Sequence, residues 1–144
     1  MAVRSYDPKS VIVSVGGVPI SGYADGTFIE ISRDDVAFTK VVGADGNTSR
    51  VKSNNTGGTL TITLQQTSPS NDILSAFAQA DELTNSGVVP ILVKDLSGNS
   101  IYFSATGWIQ KYPDSIFANE INTRAWVLDL ADLDMFVGSN GENV

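Results

Sequence analysis

The sequence predicts a mainly β fold: an antiparallel β-sandwich or barrel with one flanking α-helix at about 69–84. Three observations carry this. Thr59-Leu60-Thr61-Ile62-Thr63-Leu64-Gln65 alternates without error, leucines and isoleucine on one side, threonines and glutamine on the other, as a strand with one dry and one wet face does. Ser68-Pro69-Ser70-Asn71-Asp72 then supplies an N-cap, an early proline and an early acid, and Ile73, Leu74, Phe77, Ala78 and Ala80 follow at helical spacing until Asn85-Ser86-Gly87. No second segment of comparable helical quality exists. The remaining apolar runs are short and separated by turn residues, the pattern of hairpin-linked strands.

Each element has its own warrant. Val11 to Val15 reads as a strand, Gly16-Gly17 as a two-residue hairpin turn and Val18 to Ile20 as the return. Gly22 to Gly26 reads as loop and Phe28 to Ser32 as the next strand. After the helix, Val88-Val89-Pro90-Ile91-Leu92-Val93 is a continuous apolar run, expected to be buried on both faces, with Pro90 marking a free edge or bulge. Leu96 to Ser100 turns the chain into a strand over Ile101–Lys111, and Tyr112-Pro113-Asp114 turns it again. A last long strand is expected from about Asn119 to Asp132, with Trp126, Leu128 and Leu130 on one face. Leu133 to Val137 reads as an edge strand, and Ser139 to Val144 as an acidic tail.

One element does not fit a self-contained domain. Residues 36–57 read as a long polar hairpin arm, rising through Phe38 and Lys40, turning at Asp45-Gly46 and returning through Arg50, Val51 and Lys52. Its distal half has almost no apolar side chains, with Phe38 and Val51 as its few anchors. Such an arm either waves in solvent or lies on another molecule.

At 144 residues, 42% of them hydrophobic, the chain reads as a single domain, 1–144, able to bury a core without staples. Cysteine and histidine are both absent, which removes disulfides, thiolate metal sites, cysteine nucleophiles and histidine-based triads together. Glu30, Asp34, Asp72 and Glu120 could pair as hydrolytic carboxylates, but nothing in the sequence brings two of them together. Asp34-Asp35 and Asp129, Asp132 and Asp134 lack the glycine and terminal glutamate of a calcium loop. Gly16-Gly17 and Gly57-Gly58 match no phosphate-binding pattern. No catalytic, cofactor-binding or metal site is expected, and the chain reads as a building block rather than an enzyme.

Charge and hydropathy point the same way. Net charge is −7, with six bases against six acids in residues 1–52 and three against ten beyond. An acidic chain does not wrap nucleic acid, although its surface suits passage without adhesion. There is no apolar run of the ~18–20 residues a membrane helix needs. Met1 to Pro8 lacks the apolar stretch of a secretory signal, so synthesis in the cytosol is expected.

The stretch from Gly43 to Asp72, with its G-x-D-G-x-x-x-R-V-K-S-N turn, alternating threonine strand and T-S-P-S-N-D helix start, resembles tail tube proteins of contractile-tailed bacteriophages. The similarity extends over most of the chain, including the strand around Trp126 and Leu128. The resemblance implies a small β-barrel or sandwich assembling as six-subunit rings that stack into a hollow, sheath-wrapped tube. DNA would pass through it without specific binding. Tail sheath, baseplate and tail terminator proteins are then the implied partners, with no membrane and no cofactor, and the virion tail is the implied location. The arm residues Phe38, Lys40, Asp45, Gly46, Arg50, Val51 and Lys52 become candidates for inter-subunit contact. Thr59, Thr61, Thr63 and Gln65 become a candidate lumen face. A tube of a contractile injection or type VI secretion device shares these features, and a carbohydrate-binding β-sandwich is a further alternative.

Overall fold

The computed structural model describes residues 3–139 and 142–143. In chain order its elements are β1 (Arg4–Ser5), a 3-10 turn at Pro8–Ser10, β2 (Val11–Val15), β3 (Val18–Pro19), β4 (Ile29–Arg33), β5 (Phe38–Val42), β6 (Thr48–Lys52), β7 (Gly58–Gln65), α1 (Ser70–Thr84), β8 (Val89–Asp95), β9 (Ile101–Lys111), β10 (Thr123–Leu130), β11 (Asp134–Phe136) and β12 (Glu142–Asn143). The expected mainly β architecture with one helix is present. Eight strands form one antiparallel sheet in the order β3-β2-β8-β9-β10-β7-β4, with β11 also beside β9. The sheet curls in a sandwich-like way without closing into a barrel. Val11 of β2 and Ile29 and Ile31 of β4, strands at or next to the two ends of that order, line a common cavity of about 350 Å³.

Period-two patterning explains the core. Leu60, Ile62 and Leu64 of β7 pair in register with Leu128, Trp126 and Arg124 of β10. All three β7 residues and Leu128 are fully buried, and Trp126 nearly so. The Trp126 indole N–H donates to Asn71 Oδ1 at 2.9 Å, tying the first turn of α1 to β10. Leu74 of α1 joins the same cluster, and Phe77 packs against it, as the dry faces of strand and helix imply. Ile73 is only partly buried. The helix starts one residue later than the proline pattern suggests. Pro69 holds the cap position, and Ser68 Oγ accepts from the Ser70 N–H at 3.2 Å and donates to the Ser21 carbonyl at 2.6 Å.

The Gly16-Gly17 turn has φ of 60° and 82°, the left-handed pair that twists correctly into a hairpin. A Cβ on Gly16 would also lie 2.7 Å from the Phe77 ring, so the tip of Phe77 uses the space that glycine leaves.

Three expectations are corrected. The run at Val88–Val93 is not buried on both faces. In β8, Ile91, Val93 and Asp95 are buried while Pro90 and Lys94 are exposed, because the second face of the sheet is uncovered there. Pro90 does sit at a bulge, where the register to β9 shifts between Val89 and Ile91. The last long strand starts at Thr123 rather than Asn119, since residues 112–122 form a loop. Finally, Ser139, Glu142 and Asn143 of the expected tail pair with other parts of the chain, while residues 140, 141 and 144 lie outside the described residues. The Ser139 carbonyl accepts from the Asn99 N–H at 3.0 Å, and β12 pairs with β1, Glu142 opposite Ser5 and Asn143 opposite Arg4.

Candidate assembly surfaces

The arm is built as a two-stranded ribbon outside the main sheet. β5 pairs with β6 alone, Phe38 opposite Lys52, Lys40 opposite Arg50 and Val42 opposite Thr48. All ten strand residues are exposed. Because directly opposed residues share a face, one side carries Phe38, Lys40, Arg50 and Lys52. The other carries Thr39, Val41, Ser49 and Val51. The Arg50 guanidinium stacks on Phe38, 4.1 Å from the ring centroid. At the tip, Asp45 accepts from the Asn47 N–H at 3.2 Å and from the Asn47 amide at 2.6 Å, while Gly46 takes φ of 86°. That conformation favours glycine, which is why Asp-Gly marks the turn.

The root of the arm is pinned to the domain. Asn55 donates to Asp35 at 2.9 Å, Thr56 to Asp132 at 2.8 Å and Thr59 to Asp34 at 3.2 Å. The Leu133 N–H donates to the Thr56 carbonyl at 2.8 Å. Three of the acidic residues weighed as cation ligands thus accept hydrogen bonds that orient a projecting ribbon. Among the described residues, no group of three or more His, Cys, Asp or Glu is placed to hold a metal ion.

Thr59, Thr61 and Thr63 lie on the sheet face opposite the core and are partly buried, and Gln65 is exposed. Their cross-strand neighbours are Asp129, Val127, Ala125 and Thr123 on β10, with Glu30 and Ser32 on β4. The face is thus small, polar and acidic at one end. Burial there raises the Asp129 carboxyl above its ordinary 3.8. Nearby Asp34 raises it further, and a hydrogen bond with Gln110 acts in the opposite sense.

Sequence reading missed a third surface. The loop 112–122 exposes Ile116, Phe117 and Ile121, with Phe117 at 82%. It is held from below by Arg124, whose guanidinium donates to the Ile116 carbonyl at 3.5 Å and lies 5.6 Å from the Phe117 ring centroid. The signal was present as Ser115-Ile116-Phe117 after Pro113, an apolar pair with no alternating partners. A further exposed apolar group, Ile101, Phe103 and Phe136, lies at the opposite end of β9.

The described residues thus form a β subunit with an arm hydrogen-bonded at its root and with uncovered apolar surfaces. Residues 1–138 match the family described as the bacteriophage PhiTE tail tube protein, and the chain belongs to that family. It is 35% identical over 144 residues to structural protein ORF10 of Pseudomonas phage KPP10, covering 94% of this chain and 83% of that one. Its fold is similar to the tube-terminating cap of the anti-feeding prophage, with a TM-score of 0.64 at 14% identity over 94% of each chain. It is also similar to a chain of the sheath–tube complex of an extracellular contractile injection system. There the TM-score is 0.62 at 16% identity, covering 92% of this chain and 91% of that one. The expected tail tube resemblance is therefore correct, and the chain is a structural tube subunit, a component of the virion.

Proposed function

We propose that this subunit forms hexameric rings which stack into the inner tube of a contractile phage tail and conduct DNA during injection. The observation that carries the reading is the arm: ten exposed strand residues on a root fixed by hydrogen bonds to the body. A ribbon that buries so little in its own subunit needs a neighbour to cover it. Phe38, Lys40, Arg50, Val51 and Lys52 make the inter-subunit contact, with Asp45 and Gly46 shaping the tip. Thr59, Thr61, Thr63 and Gln65 line the channel. Their small polar side chains, beside Glu30 and Asp129, give phosphates nothing to bind. The tube is made in the host cytoplasm and meets sheath along its outside, baseplate at one end and terminator at the other. Negative-stain electron microscopy of concentrated protein tests this directly. Six-fold rings or long hollow tubes are expected, and a protein that stays monomeric at every concentration overturns the reading.

A further inference from the structure

The β7–β10 pair separates two surfaces that their own subunit leaves uncovered. Gly58 lies opposite Leu130 at one end of the pair and Gln65 opposite Thr123 at the other, about 24 Å apart for a strand of this length. The arm is rooted at the first end, through Asn55 to Asp35 and Thr56 to Asp132. Loop 112–122 sits at the second, where the Gln66 N–H donates to the Asn122 carbonyl at 3.0 Å and the Asn122 N–H donates to Gln66 Oε1 at 3.1 Å. Copies stacked head to tail along these strands bring the arm end of one against the loop end of the next.

The loop is held in shape from beneath. Arg124 is only 8% exposed, and a guanidinium is seldom buried without partners. Here it donates to the Thr123 carbonyl at 3.3 Å and the Ile116 carbonyl at 3.5 Å, and the Asn122 amide donates to Ile116 at 3.4 Å. These bonds hold the backbone while Ile116, Phe117 and Ile121 stay exposed. An apolar knob on a fixed backbone loses little freedom when a partner covers it.

Charge selects the partner. Residues 112–122 contain Asp114 and Glu120 and no base, whereas residues 36–57 contain Lys40, Arg50 and Lys52 against Asp45 alone. Among the described residues the one ion pair joins Lys111 and Asp114. On the basic face of the arm, Arg50 is stacked on Phe38. Lys40 and Val42 lie further from the root on that face, and both are exposed. A cation beside an apolar side chain there complements an acid beside apolar side chains on the loop.

We infer that loop 112–122 of one subunit is the seat for the arm of the next: Val42 lies on Phe117 and Ile121, and the Lys40 ammonium pairs with Glu120. The inference rests on the tube reading and names the surface that receives the arm. Knob and arm are different surfaces of one chain, so the contact is heterologous and repeats from copy to copy along a stack. Apolar burial supplies the attraction, and the ion pair sets the register.

Exchanging the charges tests the pairing. Lys40 and Glu120 are exposed, so circular dichroism should show Lys40→Glu and Glu120→Lys folded. Each should raise the lowest concentration giving pelletable tubes by about fivefold, and the double variant should return it close to the parent's. Net charge alone predicts otherwise, because Glu120→Lys makes the subunit less acidic and would then ease association. Phe117→Ser should keep the parent's thermal midpoint, its ring lying outside the core, and raise the same concentration by about tenfold. A double variant no better than the singles overturns this seat. So does either Glu120→Lys or Phe117→Ser assembling as readily as the parent, and parent tubes in electron micrographs then leave the tube reading standing. A parent protein that stays monomeric at every concentration overturns the tube reading instead.

Discussion

Leu74 and Phe77 lie one turn apart on the same side of α1, yet truncation should affect them differently. Leu74 is fully enclosed by the core of β7 and β10, whereas Phe77 is partly exposed with its tip over Gly16. Leu74→Ala should therefore cost about 2–5 kcal/mol, and Phe77→Ala should fall below the ~3–5 kcal/mol of a fully buried ring. Urea denaturation of both variants measures the order, and a larger loss at Phe77 would show that the helix leans on the Gly16 turn rather than the core. Asp129 offers a test by pH. Its folded pKa is raised by burial and by Asp34, so the folded state binds this proton more tightly than the unfolded chain does. The stabilisation is fully present below the ordinary value of 3.8 and is lost as pH rises through the raised folded value. Asp129→Asn should hence raise the thermal midpoint at pH 7 and lose that advantage near pH 3. Equal midpoints for variant and parent at pH 7 would contradict the raised carboxyl.

Among the elements, those whose burial is decided locally were legible in the sequence. β7 shows its dry face in seven residues, and α1 its apolar spacing after a proline start, so both lie close to their expected bounds. The arm was legible for the opposite reason, as a hairpin too poor in apolar side chains to pack. What escaped reading depends on distant partners. Whether Leu92 and Val88 are covered depends on what lies over the second sheet face, which no local pattern states. The two-residue pairing of β1 with β12 joins opposite ends of the chain. Residues 119–122, the end of loop 112–122, looked like the start of a strand because their one apolar residue, Ile121, sets no periodicity that would exclude it. Two predictions belong to this scale. Deleting Gly43 to Thr48 removes only the exposed tip, so the domain should keep its thermal midpoint while stacking fails in electron micrographs. Full-length tubes from the deleted protein would show that the arm is not the connector. Thr61→Lys adds a cation to the face assigned to the channel, and repeated around a ring it should make assembled tubes retain DNA in low-salt gel shifts. No change in retention would place that face away from the lumen.

For the whole molecule, the balance between charge and apolar surface decides how assembly responds to salt. Each subunit carries a net charge of −7, so bringing copies together sets like-charged bodies against one another, and exposed attractive pairs contribute only about 0.2–1 kcal/mol each. Against this stand uncovered apolar groups in several places: Phe38, Val41 and Val51 on the arm, Ile116, Phe117 and Ile121 in loop 112–122, and Ile101, Phe103 and Phe136 at the other end of β9. Apolar burial returns roughly 25 cal/mol per Å² and does not depend on screening. Salt therefore acts chiefly on the repulsion. Raising ionic strength from 0.01 M to 0.15 M shortens the Debye length from about 30 Å to about 8 Å, which should lower the concentration needed for tubes. Sulfate should lower it further by strengthening apolar burial. Light scattering across a sodium chloride series, repeated with sodium sulfate, reads this directly. Scattering that falls steadily with sodium chloride would mean that exposed opposite charges hold the subunits together, with the apolar surfaces serving another partner.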